Sequence, residues 1–138
     1  MLMDKMTKYK NYKVKIDGIK FDSVSESKYY TKLKSDKESG VIASFDLQPK
    51  YILQEKFKFA DENIRAIEYI ADFVITHNDG IIEVVDVKGM ATPVALIKRK
   101  MFLKTHPHLL LSWIVYVKKY GGWVDFFELQ KLRKKNKK

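Results

Sequence analysis

The amino-acid sequence predicts an α/β fold with an α+β mixed sheet: one central mixed β-sheet flanked by helices. Three observations carry this. Residues 66–76 and 81–87 are rich in β-branched and aromatic side chains and are joined by Asn78-Asp79-Gly80, the composition of a hairpin turn. Two helix starts flank that hairpin. Ser23-Val24-Ser25-Glu26 reads as a capping box, and Thr92-Pro93 as an N-cap followed by proline at the first helical position. Residues 109–117 then form a continuous apolar run of strand length, suited to a buried strand.

Each element has a local reason. Residues 12–16 and 19–21 flank Asp17-Gly18, a two-residue hairpin signal. A helix opens at Ser23 and stops at Ser39-Gly40, where glycine suits a helix end. Residues 41–45 make a short strand, and 51–59, after Gln48-Pro49-Lys50, a longer and more polar one. The helix begun at Thr92-Pro93 runs to about Thr105, and His106-Pro107 breaks it. Gly121-Gly122 makes a turn. Residues 123–132 fit a strand, a helix, or one passing into the other. The order is αβββαβ after a small hairpin.

The 138 residues suffice for one domain with a buried core, and no repeat or Gly/Pro/Ser linker divides them. The expected layout is a single domain over 1–130 with a basic tail over 131–138. No apolar run reaches the roughly 18 residues of a membrane span, and residues 1–20 are too polar for a signal peptide. With no cysteine there is neither a disulfide framework nor a thiolate metal site. The expectation is a cytoplasmic protein with no membrane partner.

The net charge of +10 favours a polyanionic partner, because each phosphate neutralised by Lys or Arg releases counterions. Six cations (Lys131, Arg133, Lys134, Lys135, Lys137 and Lys138) account for more than half of that excess. Such a tail is either a DNA-grasping arm or a solvated end, and neither defines a reaction.

Chemistry enters on the central hairpin. Asp72 interrupts the apolar run Tyr69-Ile70-Ala71-Asp72-Phe73-Val74-Ile75, where an unpaired, desolvated carboxylate costs several kcal/mol. On the next strand, Asp86 and Lys88 share a face by period-2 alternation, while Glu83 points the other way. Two acids on neighbouring strands can converge on one hard cation. Mg²⁺ takes oxygen ligands and is usually held by one or two carboxylates plus substrate phosphate. The alternative for Asp72, Asp86 and Lys88 is a structural ion-pair cluster at a sheet edge.

This pattern resembles the PD-(D/E)XK nuclease signature, a metal-binding Asp followed by D/E-x-K on the next strand. Residues 14–23, 47–51, 65–73 and 85–90 also look like a phage and prophage family of unknown-function proteins assigned to that superfamily. The resemblance covers roughly residues 12–105. Ala71 stands where the signature nominally has Pro. The resemblance implies a restriction-endonuclease-like core and a DNA endonuclease using Mg²⁺, with Mn²⁺ able to substitute. Asp72 and Asp86 would hold metal, joined by Glu26 on the first helix, and Lys88 would position the attacking water. It is similar to phage Holliday-junction resolvases, which implies a homodimer acting on branched DNA. Close competitors are a restriction-like, replication-linked or recombination nuclease, an RNA-processing nuclease, and a non-catalytic nuclease-fold module binding DNA or protein.

Other residues are weaker candidates. Glu26 reads first as a ligand, with the alternative that, as the fourth residue of its capping box, it reaches back to the Ser23 backbone N–H. Glu68 shares the face of Asp72 with nothing else to recommend it. Gln48 and Lys50 precede a strand near the site, and Lys98, Arg99, Lys100 and Lys104 follow it on a helix. Of these, Lys50, Lys98, Lys100 and Lys104 are candidate phosphate contacts, against a solvated surface as the alternative. His77, His106 and His108 lack metal-ligand spacing and read as surface or loop residues, and Trp113 and Trp123 as core.

Overall fold

The structure is a computed structural model that describes residues 13–137. Tyr12, at the start of the first expected strand, and Lys138, the last tail cation, lie outside the described residues. A hairpin of β1 (Val14–Ile16) and β2 (Ile19–Phe21) turns through Asp17 and Gly18, both at positive φ, as a type I′-like turn requires. Helix α1 (Val24–Glu38) follows, its Ser23 hydroxyl accepting the Glu26 N–H at 3.0 Å.

Five strands form the central sheet. They are β3 (Ser44–Leu47), β8 (Phe73–Thr76), β9 (Ile82–Val87), β10 (Leu110–Val117) and β11 (Gly122–Asp125), in the spatial order β11-β10-β9-β8-β3. Only the β9–β10 pair is parallel, so the sheet is mixed. Helix α2 (Pro93–Thr105) connects those two strands, as parallel neighbours demand. Its Thr92 cap accepts the Ala95 N–H, with Pro93 in the first turn as expected. The final helix α3 (Phe126–Asn136) begins directly after β11, where Asp125 accepts the N–H groups of Phe127 and Glu128. Residues 123–132 thus pass from strand into helix, and Lys131 through Asn136 continue that helix rather than trailing from it.

Alternation along β9 divides the core. Val85 and Val87 face the α1 side with Tyr29, Leu33, Phe73 and Ile75. Val84 faces the α2 side with Leu53, Tyr69, Ala71 and Phe102.

The order between α1 and α2 is richer than expected. The expected strand 66–76 is broken at Asp72 into β7 (Ile67–Ile70) and β8, and 51–59 is broken into β4 (Lys50–Gln54) and β5 (Phe57–Phe59). Strand β4 pairs with β7, while β5 turns back on β6 (Glu62–Ile64). That turn is Ala60-Asp61, with the left-handed φ of 52 on an alanine, so the Asn-Gly or Asp-Gly pair that announces such a hairpin is absent at this point of the sequence. Strand 41–45 is displaced to Ser44–Leu47 because the N–H groups of Val41 and Ile42 stay with the Asp36 carbonyl at the end of α1.

Candidate active site

The break at Asp72 builds the site. Gln48, at φ 48, and Asp72 face each other where β3 gives way to β4 and β7 to β8. Pairing survives the kink through Gln48 N–H to the Asp72 carbonyl (2.9 Å) and Ala71 N–H to the Pro49 carbonyl (3.1 Å). Freed from regular alternation, Asp72 lies across the end of β9. Its Oδ2 accepts the Val87 N–H at 2.8 Å, while its own N–H donates to Oδ1 of Asp86 at 3.0 Å. The two acids expected to converge do so, each occupying the other strand's backbone.

Asp86 is 4% exposed. Its second oxygen, Oδ2, accepts a short hydrogen bond from the Tyr69 hydroxyl, which in turn accepts Nε1–H of Trp113 at 2.8 Å. Trp113 is the direct neighbour of Asp86 in the β9–β10 ladder. Tryptophan thus orients tyrosine, and tyrosine orients the carboxylate. Lys88, two residues along β9, lays its Nζ 4.5 Å from the centre of the same Trp113 ring, a cation–π contact. As expected, Asp86 and Lys88 share one face. Glu83 faces away and is occupied by Ser112 Oγ at 2.6 Å and His77 Nε2 at 2.8 Å.

Two spaces open on this cluster. A cleft of about 550 Å³ is lined by Asp86, Lys88 and Trp113, with β7 on one side and Thr92, Ala95 and Lys98 of the α2 start on the other. A smaller cavity of about 80 Å³ lies toward α1, where Glu26, Asp72, Gln48 and Lys20 meet. Asp72 sits at the sheet break between them.

The electrostatics follow from burial and like charge. The Asp72 carboxyl is pushed up to about 7, first by burial, then by Asp86 and Glu26, against the opposing Val87 N–H and Lys88. Asp86 is raised by burial, with Tyr69, Lys88 and the Asp72 N–H opposing. Glu26 is raised by burial and then by Asp22 and Asp86; the Ser23 hydroxyl and Asp72 oppose this. No Lys, Arg or His comes within ion-pair distance of any of the three among the described residues. An ion-pair cluster therefore does not describe them.

Glu26 is placed by its helix, but not as the capping box predicts. Ser23 Oγ caps the helix, and the Glu26 carboxylate reaches that hydroxyl (3.5 Å) and the Asp72 cavity, with no bond to the Ser23 N–H. Among the described residues, no three acid or histidine side chains converge as they stand to hold a metal ion. Mg²⁺ needs only one or two carboxylates with water and phosphate completing six oxygens. The all-oxygen donors at Glu26 and Asp72, both held above their ordinary range by burial and by neighbouring acids, fit that requirement.

Of the candidate phosphate contacts, Lys98 lines the cleft. Lys50 is on the outer face of β4, 3.8 Å from Glu68, and Lys100 and Lys104 are exposed on α2, lining neither space. Tyr69 and Trp113 were not among the candidates. Trp113 is core, as expected of it, but it is also the floor under Lys88. His106 stacks on Phe102 and takes no part in the site.

What the fold and the cluster define is a mixed-sheet α/β protein with a buried acid, Asp86, hydrogen-bonded to a half-buried one, Asp72, beside a lysine. Residues 6–122 match the family described as "Protein of unknown function (DUF1064)", and the chain belongs to that family. No curated protein matches it.

Proposed function

We propose that this protein is a metal-dependent DNA endonuclease with a restriction-endonuclease-like core, acting as a homodimer on branched DNA in the manner of a junction resolvase. The observation that carries the reading is the Asp72–Asp86 pair: a half-buried and a buried acid of like charge, locked together by backbone hydrogen bonds and with no ion pair to either among the described residues, at the edge of an open cleft holding Lys88 and Lys98. Stability alone does not favour such a pair, since apolar replacements of buried charges are commonly neutral or better. Carboxylates perturbed by burial and like charge beside a cleft mark a candidate functional site, and oxygen donors of that kind suit phosphoryl chemistry. The likeness of Asp72, Asp86-Val87-Lys88 and Glu26 to the PD-(D/E)XK signature supports the same reaction.

Mg²⁺, or Mn²⁺ in its place, would be held by Asp72 with Glu26 and Asp86 beside it. When bound, it supplies Lewis-acid stabilisation of phosphate charge and a more acidic water. The residues of the chain do the rest. Tyr69 and Trp113 fix the Asp86 carboxylate. Lys88, supported on the Trp113 face, offers its ammonium to the water or to charge growing on the phosphate. Lys98, across the cleft, holds the strand by its backbone.

The test is cleavage of a labelled four-way junction, a flap, plain duplex and single-stranded DNA with Mg²⁺, Mn²⁺ or EDTA, for wild type and Asp86→Asn. Asparagine is the better substitution, because it keeps an acceptor for the Asp72 N–H that alanine would remove. Metal-dependent cuts confined to branched substrates and lost in the variant support the whole proposal, and cutting of plain duplex keeps the nuclease and discards the resolvase. A second reading, a non-catalytic module, draws on Asp86 having both oxygens already engaged internally. Retained binding with no cleavage of any substrate would select it.

A further inference from the structure

We infer that the outer face of α3 is a second nucleic-acid contact, a track for the phosphates of a duplex arm that continues away from the catalytic cleft. The face is made by Phe127, Gln130, Lys131, Lys134 and Lys137, which recur at helical spacing and line a groove of about 470 Å³. From Leu129 to Lys137 the chain has five cations and no acid. Lys131 lies 3.4 Å from Glu128, and Lys134 and Lys137 have no ion-pair partner among the described residues.

A charged helix face is usually just solvated. What distinguishes this one is its physical continuity with the cleft. The Phe127 ring stacks on Trp113 (centroids 5.5 Å apart, planes at 20°), and Trp113 forms the cleft floor beneath Lys88. The Arg99 guanidinium lies beside that stack, 4.2 Å from the Phe127 centroid and 5.8 Å from that of Trp113. Lys88 and Arg99 thereby sit on one aromatic stack that runs from beside Asp86 to Phe127, where the α3 groove begins. From Phe127 to Lys137 the helix rises about 15 Å, roughly four nucleotides of one DNA strand. Four cations line the groove, while of the apolar side chains nearby Phe127 is stacked on Trp113 and the exposed Leu132 does not line it, so the chemistry suits a phosphodiester backbone better than a bilayer surface.

The inference rests on the nuclease reading for its choice of partner, and its test separates the two. Binding of a fluorescent 30-base-pair duplex is followed by anisotropy in EDTA over a series of NaCl concentrations. The proteins are wild type, the triple variant Lys131→Gln/Lys134→Gln/Lys137→Gln, and a charge-matched control, Lys13→Gln/Lys15→Gln/Lys37→Gln. Circular dichroism confirms the fold of each. The expected result is that the α3 variant binds at least about tenfold more weakly at low salt. Its slope of log K against log salt should fall by about 2 to 3, while the control follows wild type. Equal losses in both triples, or none in the α3 variant, overturn the inference. So does a loss seen only on phosphatidylserine vesicles and not on duplex DNA. Cleavage with Mg²⁺ at saturating protein then reads the other question. A normal α3 variant beside a dead Asp86→Asn upholds both readings. An α3-dependent slope with no cleavage by wild type keeps the track and removes the nuclease.

Discussion

The Asp72 N–H donates to Oδ1 of Asp86 at 3.0 Å, and that bond makes Asp86 a structural acceptor as well as a candidate ligand. With the Tyr69 hydroxyl on its other oxygen, Asp86 satisfies two buried donors. Alanine at position 86 should therefore cost about 2 kcal/mol or more, since each orphaned donor forfeits on the order of 1–3 kcal/mol. Asparagine can still accept from the Asp72 N–H and removes a charge repelling Asp72, but its NH2 cannot accept the Tyr69 O–H, so metal-free Asp86→Asn should lie between the alanine variant and wild type. Urea denaturation with EDTA distinguishes them. An asparagine variant as unstable as the alanine one would mean that the charge itself is needed by the fold.

The acid pair should leave a signature in the pH dependence of stability. A carboxyl with an ordinary value of 3.8 is held at about 7 in folded Asp72. Below pH 4 it is protonated both folded and unfolded and costs nothing. Between there and pH 7 the unfolded chain releases the proton first. The stability that protonated Asp72 contributes is thus fully present at low pH and lost as pH rises through 7, at most about 4 kcal/mol and shared with its neighbours. Thermal melts in EDTA from pH 5 to 8 should show a falling Tm that Asp72→Asn flattens. Excess Mg²⁺ should oppose the fall in wild type, because it favours the charged form. A wild-type Tm that rises over this range would contradict the placement of Asp72.

Much of the scaffold could be read before the structure. Asp17-Gly18 adopts the positive φ pair its composition demands, Ser23 and Thr92-Pro93 cap the helices they predict, and Asn78-Asp79-Gly80 closes the central hairpin. These are local rules, satisfied within four residues. The unread parts depend on distant partners. Asp72 breaks its strand because Val87, fifteen positions later, needs an acceptor there. The hairpin through Ala60-Asp61 puts its left-handed residue on an alanine and lacks the glycine pair that would announce it. Trp113 was legible as core from its apolar run, but its tie to Tyr69 requires the parallel register of β9 on β10, which alternation cannot supply. The pairing of Asp86 with Lys88, by contrast, needed only period 2.

That tie makes Tyr69→Phe informative. The substitution keeps the ring packed on Phe102 but removes the hydroxyl that serves both Asp86 Oδ2 and Trp113 Nε1. Stability should drop by about 1–3 kcal/mol. If Tyr69 positions the acid for the proposed reaction, cleavage should also fall in kcat with KM for DNA nearly unchanged. A variant that loses stability and keeps full kcat would confine Tyr69 to the core.

Glu26 separates cap from ligand without ambiguity. The helix cap is the Ser23 hydroxyl accepting the Glu26 N–H, a bond that the side chain of residue 26 does not make. Ser23→Ala should therefore destabilise by about 1 kcal/mol, whereas Glu26→Gln should cost little or slightly stabilise, because it removes a charge raised by burial, Asp22 and Asp86. The proposed site predicts the opposite order for metal. Glu26→Gln should weaken Mg²⁺ binding, read as a smaller metal-induced rise in Tm, while Ser23→Ala leaves that rise near its wild-type size. Were Glu26 only part of the cap, its glutamine variant would keep the full metal response. The carboxylate facing Asp72 across the small cavity would then be a neighbour of the site and not a member of it.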